Sequence, residues 1–370
     1  MRRHIVPLDG LRGLAVLAVL FSHFYPEDRF PSKLLHCGRL GVVAFFALSG
    51  YLITGILLGL RDGALFRHRG WGATLRSFYG RRALRILPAY LIALILCGLC
   101  GYRPVTSHLG WLLTYTVNFG QVRGVNFGFA DHFWSLAVEE QFYLVWPALV
   151  LAVPARHLRG TIVALAIAAA ALNLVFAWSG ASYLTCFRLP FLGSLIPLAL
   201  GALLAEAEWA GCSEVRRWLW RLFLAVGLPL LVATQVVWFQ QVARTSRFYL
   251  GTVDVAFGLL SAAALIVLTQ RGRAAANGLA KAFAWPPLVG LGKISYGVYV
   301  GHRLLMALWP AVLARLALNP LPPLVNLVAL SACSIALAAL SWFGIERPLL
   351  AFKRYFPYGP APLPVTKAPP

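Results

Sequence analysis

The sequence predicts an all-α fold, a polytopic transmembrane helical bundle of about ten spans with both termini in the cytoplasm. Hydrophobic residues make up 60% of the 370 residues and charged residues only 12%, and the mean hydropathy is +0.74. This composition is more apolar than that of soluble domains. Apolar stretches near the ~20 residues that a membrane helix needs recur along the chain. We therefore expect a multi-pass protein embedded in the lipid bilayer.

The predicted spans account for most of the chain. They lie at residues 10–28, 41–60, 83–101, 133–153, 160–179, 190–207, 221–240, 249–269, 287–309 and 322–344. No signal-peptide cleavage site follows the first apolar stretch, so we expect a retained helix. Residues 1–350 then form one transmembrane domain and residues 351–370 a cytoplasmic tail, whose Pro-rich end, residues 359–370, is predicted to be disordered.

The basic residues set the predicted orientation. With the N-terminus inside, 23 of the 33 Lys and Arg residues fall on the cytoplasmic side and the other 10 outside. This asymmetry follows the positive-inside rule, and basic loops beside anionic lipid explain most of the net charge of +21. We therefore expect no nucleic-acid partner. Of six cysteines, only Cys97 and Cys100 are closely spaced, and we interpret them as small packing residues, so that no metal site is predicted.

The first span carries two ionisable residues, Arg12 and His23. Eleven positions on a helix come to about three turns plus 20°, so both side chains share one face about 16 Å apart along the axis. Ionisable groups at membrane depth usually face a bundle interior and mark function. The pair therefore predicts a site, while the alternative is a structural arginine at the interface and a histidine that hydrogen-bonds between helices.

The fourth span begins with a polar stripe that contains two carboxylates. Its members recur at helical spacing, and they are His132, Ser135, Glu139, Tyr143 and Trp146. Such a stripe faces protein or water, which predicts that Glu139 and the adjacent Glu140 contribute to the site. The alternative for both carboxylates is a buried ion pair with an arginine.

The ninth span places Ser295, Tyr299 and His302 on one face. At 1.5 Å per residue, His302 lies at a depth where it can meet His23 and Glu139 in the outer half of the bundle. Three helices that supply polar groups at a compatible depth predict a reaction chamber.

A group of arginines lies at the opposite, cytoplasmic side. Arg82 and Arg85 are i, i+3 neighbours at the entry to the third span, a geometry that suits phosphate binding by guanidinium forks. Arg12 and Arg81 lie on the same side. The sequence therefore predicts anion capture inside and acid–base chemistry closer to the outside.

Six segments in order resemble one family, the bacterial integral-membrane acyltransferase family 3, which O-acylates surface polysaccharides, antibiotics and lipid-linked sugars. The segments are Leu8–Ala15 with His23, Gly41–Thr54, Arg81–Tyr90, His132–Pro147, Leu291–His302 and Glu346–Pro348. The resemblance implies a cytoplasmic acyl-CoA donor, most often acetyl-CoA, and no tightly bound cofactor. It implies a hydroxyl acceptor on a carbohydrate, a lipid-linked sugar or a secondary metabolite, a location in the bacterial inner membrane, and His23 as the essential base.

The same chemistry suggests roles for the other polar residues. A neutral imidazole can take the proton of an attacking alcohol, and Glu139 or Glu140 can orient it. Ser295, Tyr296 or an arginine can stabilise the oxyanion. Many relatives carry a C-terminal esterase-like domain, so this chain resembles the stand-alone form, for which a second transfer step needs a separate extracytoplasmic partner. The alternative function is a proton-coupled transporter or flippase for a sugar or lipid.

Overall fold

The computed structural model describes residues 4–62, 64–189, 193–270 and 278–358. The predicted disordered end, residues 359–370, lies outside this part of the chain. The α-helices are α1 Val6–Phe24, α2 Cys37–Arg61, α3 Ala64–Leu99, α4 Arg103–Thr106, α5 Leu109–Leu113, α6 Val117–Val122, α7 Trp134–Ala152, α8 Ala155–Trp178, α9 Tyr183–Arg188, α10 Leu195–Trp209, α11 Ser213–Leu222, α12 Leu228–Phe239, α13 Arg247–Leu268, α14 Gly278–Phe283, α15 Pro286–Arg315, α16 Pro323–Ser341 and α17 Arg347–Leu350.

Short irregular helices connect or extend these elements. They are the 3₁₀ helices Ser32–Leu34, Gly128–Phe133 and Ala351–Tyr355, and the π-helical turns Phe223–Gly227 and Trp342–Glu346. The first π turn joins α11 to α12 and the second joins α16 to α17. Over the described ranges the secondary structure is helical, without strands, which confirms the predicted all-α bundle.

Eight helices in the described part of the chain are long and apolar enough to cross a membrane. They match eight of the ten predicted spans, and the other two predicted spans correspond to α7 and α10. Helix α10 has only 15 residues and is buried along most of its length. Helix α7 carries Glu139 and Glu140 near its centre. Helix α10 is therefore covered mainly by neighbouring helices, whereas α7 also exposes apolar residues such as Leu144 and Val145.

The contacts between helix ends agree with an up-and-down path. Residues predicted on the cytoplasmic side meet each other: Arg61 Nη1 donates to the carbonyls of Val150 and Val153, both at 2.9 Å. On the opposite side, Trp238 Nε1 donates to the carbonyl of Ser32 at 3.0 Å. The membrane orientation itself stays a prediction from the distribution of basic residues.

Glycines allow α1 to approach α15 at backbone distance. A Cβ atom at Gly10 would lie 1.8 Å from the carbonyl oxygen of Phe283, just before α15, and one at Gly292 would lie 1.8 Å from that of Asp9. Small residues at helix interfaces permit such approaches in membranes, where dispersion contacts replace the hydrophobic driving force. This contact fixes the register of α1 against α15.

Candidate active site

A partly open cavity of about 90 Å³ lies between α1, α2, α3, α7 and α15. It brings together seven of the residues that the sequence predicts for the site, and these are Arg12, Arg82, Arg85, Glu139, Glu140, Ser295 and Tyr296. The prediction that distant segments of the chain supply one chamber therefore agrees with the packing of five helices. His23, Arg81 and His302 are not part of the cavity lining.

The three cavity arginines form its cationic end. Arg12 is paired with Asp9 at 3.2 Å. Among the described residues, Arg82 and Arg85 form no ion pair with a carboxylate. Arg85 donates a long hydrogen bond of 3.4 Å to the carbonyl of Lys293. Two cations without carboxylate partners are available for an anionic ligand, as guanidinium groups bind phosphate through paired hydrogen bonds.

Arg81 lies elsewhere, because the C-terminal segment occupies its guanidinium group. Its Nη1 atom donates to the carbonyls of Lys353 at 3.2 Å and Phe356 at 3.1 Å. The guanidinium carbon also lies 4.5 Å from the ring centre of Tyr358. We therefore separate Arg81 from Arg82 and Arg85, and its donor-binding role stays a prediction without support from the cavity.

The two carboxylates face the cavity rather than the histidines. Glu139 accepts hydrogen bonds from the hydroxyl groups of Ser49 and Tyr143. Within the described ranges, Glu140 forms no hydrogen bond, and neither carboxylate forms an ion pair. The expected partnership of Glu139 or Glu140 with His23 is therefore not observed, since α2 provides the hydroxyl group that meets Glu139.

The candidate oxyanion donors are engaged with backbone carbonyls. Ser295 Oγ donates to the carbonyl of Gly292 at 2.9 Å, and the Tyr296 hydroxyl donates to that of Ile86 at 2.9 Å. Each hydroxyl group lines the cavity but would have to turn away from its carbonyl to bind an oxyanion. Their role stays a prediction.

His23 pairs with His302 outside the cavity. His302 Nδ1 lies 2.7 Å from the carbonyl oxygen of Tyr299, and His302 Nε2 lies 3.1 Å from His23 Nδ1. A carbonyl only accepts, so we assign the His302 proton to Nδ1, which leaves Nε2 to accept from His23 Nδ1–H. The lone pair of His23 is then on Nε2. His302 is buried and His23 is partly exposed. The nitrogen that can accept a proton at the end of this hydrogen-bonded pair is therefore Nε2 of His23.

A third histidine, His132, joins the pair and was not among the predicted site residues. Its ring centre lies 4.8 Å from that of His302. Its nitrogens lie 2.8 Å from the carbonyl oxygen of Phe129 and 3.0 Å from that of Tyr299. The polar stripe of the fourth span contained this residue, but helical spacing alone did not indicate its partners.

Tyr299 separates the cavity from the three histidines. It lines the cavity, its hydroxyl group donates to the carbonyl of His132 at 3.1 Å, and its own carbonyl lies within hydrogen-bond distance of both His132 and His302. Ser135 shares the cavity lining and a hydrogen bond with the Tyr299 hydroxyl. The site thus has arginines without carboxylate partners at one end and a cluster of three histidines beside Tyr299 at the other.

Comparison with known proteins agrees with the resemblance noted in the sequence. A family model described as an acyltransferase domain matches residues 5–343. The peptidoglycan O-acetyltransferase OatA of Listeria monocytogenes serovar 1/2a is 31% identical over 166 residues, which are 40% of this chain and 25% of the relative. The O-acetyltransferase OatA of Staphylococcus aureus strain NCTC 8325 is 32% identical over 162 residues, with the same coverage.

The chain spans about a quarter of the length of these relatives, and no solved structure matches it. The family model, in contrast, covers nearly all of the chain. Eight candidate membrane helices agree with a multi-pass membrane protein. The chain belongs to the membrane acyltransferase family that this domain defines.

Proposed function

We propose that this protein is an O-acyltransferase that moves an acyl group, most readily acetyl, from acyl-CoA to a hydroxyl group on the opposite side of the bacterial inner membrane. The observation that supports this most is the arrangement of the two ends of the site. Arg82 and Arg85 lack carboxylate partners in one cavity, while His23 presents a free base nitrogen behind Tyr299. The O-acetyltransferase names of the two relatives support the acetyl group.

In this proposal the donor binds first by its phosphates. Arg82 and Arg85 hold the phosphates at the cytoplasmic mouth, and Arg12 adds a third cation whose charge Asp9 partly balances. The pantetheine arm then extends through the cavity, and the thioester reaches the wall formed by Ser135 and Tyr299. This places the reacting carbon on the side of the cavity nearest to the histidines.

The chemical step uses His23 as general base. The acceptor oxygen attacks the thioester carbon while its proton passes to His23 Nε2, so that a C–O bond forms as the C–S bond breaks. The thiolate of CoA then takes the proton from His23, and the products are an ester and free CoA thiol. Positioned proton transfer of this kind contributes ~10²–10⁴ in rate. His302 fixes the tautomer of His23, as the third member of a catalytic triad does.

The decisive experiment replaces His23 with Gln, which keeps a hydrogen-bonding side chain without a nitrogen that accepts a proton near neutral pH. We expect purified His23→Gln protein to bind acetyl-CoA normally but to release no CoA thiol when envelope extract is added as acceptor. His157→Gln is the matched control, because His157 is exposed and its imidazole accepts a hydrogen bond from the neighbouring Arg156, away from the cavity lining. Full acceptor-dependent turnover by His23→Gln would show that the histidine is structural.

The same experiment tests the alternative of a proton-coupled transporter. Three adjacent histidines also resemble a proton relay. A transporter would release no thiol from acetyl-CoA in the wild-type protein, whatever acceptor is present. Release by the wild type and its loss in His23→Gln would therefore support the enzyme and contradict the transporter.

A further inference from the structure

We propose that the acceptor carries an anionic group, a carboxylate or a phosphate, and that Arg188 and Arg303 bind this group beside His23. The inference rests on the proposed function and names the class of its acceptor. Arg188 is the last residue of α9, and Arg303 follows His302 on α15. Two distant parts of the chain therefore bring cations to the side of Tyr299 that faces away from the cavity.

In the part of the chain that the structure describes, neither side chain is paired with a carboxylate. In the described ranges neither guanidinium group forms an ion pair, and the Nε atom of each is buried without a hydrogen-bond partner. Two arginines elsewhere in the bundle do have carboxylate partners. Arg39 donates to Asp254 Oδ1 at 2.7 Å, and Arg159 donates to Glu206 at 2.7 Å. An unpaired, largely buried cation is costly, and a bound anion offsets that cost.

The surroundings of Arg188 place it at the histidine cluster. Its guanidinium carbon lies 4.1 Å from the ring centre of Trp134, two residues after His132. Burial lowers the pKa of Arg188 to about 10, while the neighbouring Tyr183, Tyr299 and Asp131 act in the opposite direction. Arg188 therefore remains charged at neutral pH and lies close to the tyrosine whose carbonyl joins His132 and His302.

Arg303 directly follows, on α15, the His302 whose imidazole contacts His23. Asp131, whose charge acts on Arg188, has one carboxylate oxygen engaged elsewhere. Its carboxylate accepts hydrogen bonds from Gln121 Nε2 and from the backbone nitrogen of Phe127, both at 3.1 Å. In the described ranges no carboxylate lies within ion-pair distance of either arginine, so the outer end of the site carries a local excess of positive charge.

The accessible surface fits an acceptor that reaches only His23. His132 and His302 are buried, whereas His23 is partly exposed. Guanidinium groups match carboxylate and phosphate through paired hydrogen bonds. An acceptor anchored by its anion on Arg188 and Arg303 would present a hydroxyl group to His23 Nε2. A sugar acid or a glycosyl phosphate has both groups, and a neutral sugar lacks the anchor.

A binding experiment tests this without turnover. Full-length protein in lipid nanodiscs is treated with diethyl pyrocarbonate, and modification of His23 is measured by peptide mass spectrometry. The probes are methyl glucuronoside, glucose 1-phosphate and the neutral methyl glucoside. We expect the two anionic probes to protect His23 and the neutral one to fail. Stronger protection by one anion assigns the site to carboxylate or to phosphate.

In the variants Arg188→Gln and Arg303→Gln, the concentration of anionic probe that protects His23 should rise by about tenfold. The reason is that each variant loses one charge-assisted contact with the anion. Arg247→Gln, at an exposed arginine, should behave as the wild type. Arg188→Lys and Arg303→Lys should retain part of the protection, which separates loss of charge from loss of fold.

Equal protection by the neutral glucoside, unchanged protection in both Gln variants, or no modification of unprotected His23 would each overturn the inference. The proposed function fails by a different result, namely turnover by His23→Gln. The two failures are therefore distinguishable.

Discussion

The contact between α1 and α15 makes a quantitative prediction about Gly292. A methyl group added there would lie 1.8 Å from the carbonyl oxygen of Asp9. Ordinary van der Waals contact begins near 3.4 Å, so Gly292→Ala must move the helices apart by about 1.6 Å, the difference between the two distances. The obstacle is backbone, which cannot rotate away as a side chain can.

This separation acts on both stability and the histidine pair. Overpacking of a close interface typically costs ~1–3 kcal/mol. The hydrogen bond between His23 and His302 measures 3.1 Å, and a shift of this size would break it. We therefore expect Gly292→Ala to lower the melting temperature and to reduce acyl transfer strongly.

Gly290 is the matched control, since it lies two residues earlier on α15. A methyl group at Gly290 meets no atom within 4 Å, and Ala is favoured over Gly in helices by ~1 kcal/mol. Gly290→Ala should therefore melt at the same or a higher temperature than the wild type, measured by size-exclusion chromatography after heating. Equal stability and activity of the Gly292 and Gly290 variants would refute the packing argument.

Three further predictions follow from charges. Arg85→Ala should weaken acetyl-CoA binding at least about tenfold, measured by calorimetry. Arg61→Ala, outside the cavity, should leave the affinity unchanged. Equal affinity of the two variants for acetyl-CoA would contradict a role of Arg85 in donor binding. Asp254→Asn should destabilise the protein by ~3–5 kcal/mol, because it leaves buried Arg39 unpaired. Glu214→Gln, in an exposed pair with Arg217, should cost only ~0–1 kcal/mol. Equal melting temperatures of the two variants would contradict this prediction. Burial, with the charges of Arg39 and Arg244, lowers the pKa of His36 from 6.5 to about 3. Between these values only the unfolded chain takes up the proton, so stability should fall by ~1.4 kcal/mol per unit as the pH drops below 6.5. His36→Asn should flatten that slope in melting curves, and an unchanged slope would contradict the assignment.

The sequence by itself determined the fold class and the local geometry. Composition and the repeated apolar stretches predicted an all-α bundle, and ten helical segments occur at the predicted places. The resemblance to the acyltransferase family is confirmed by the family match over residues 5–343. Arg82 and Arg85, whose i, i+3 spacing predicts phosphate binding, both line one cavity, and their binding role stays a prediction. These features depend on composition and on the helical period. Both are set by residues close together in the sequence, so they can be predicted without the tertiary structure.

The tertiary structure alone decided which polar groups meet. Spacing and depth placed His23, Glu139 and His302 at compatible levels, but only the two histidines are in contact, and Glu139 bonds instead to Ser49 and Tyr143. A helical period gives the face and the depth of a residue, but it does not specify the neighbouring helix. That neighbour depends on which backbones can approach closely, and here Gly292 allows α15 to lie against α1, while Gly10 allows α1 to approach the end of α14.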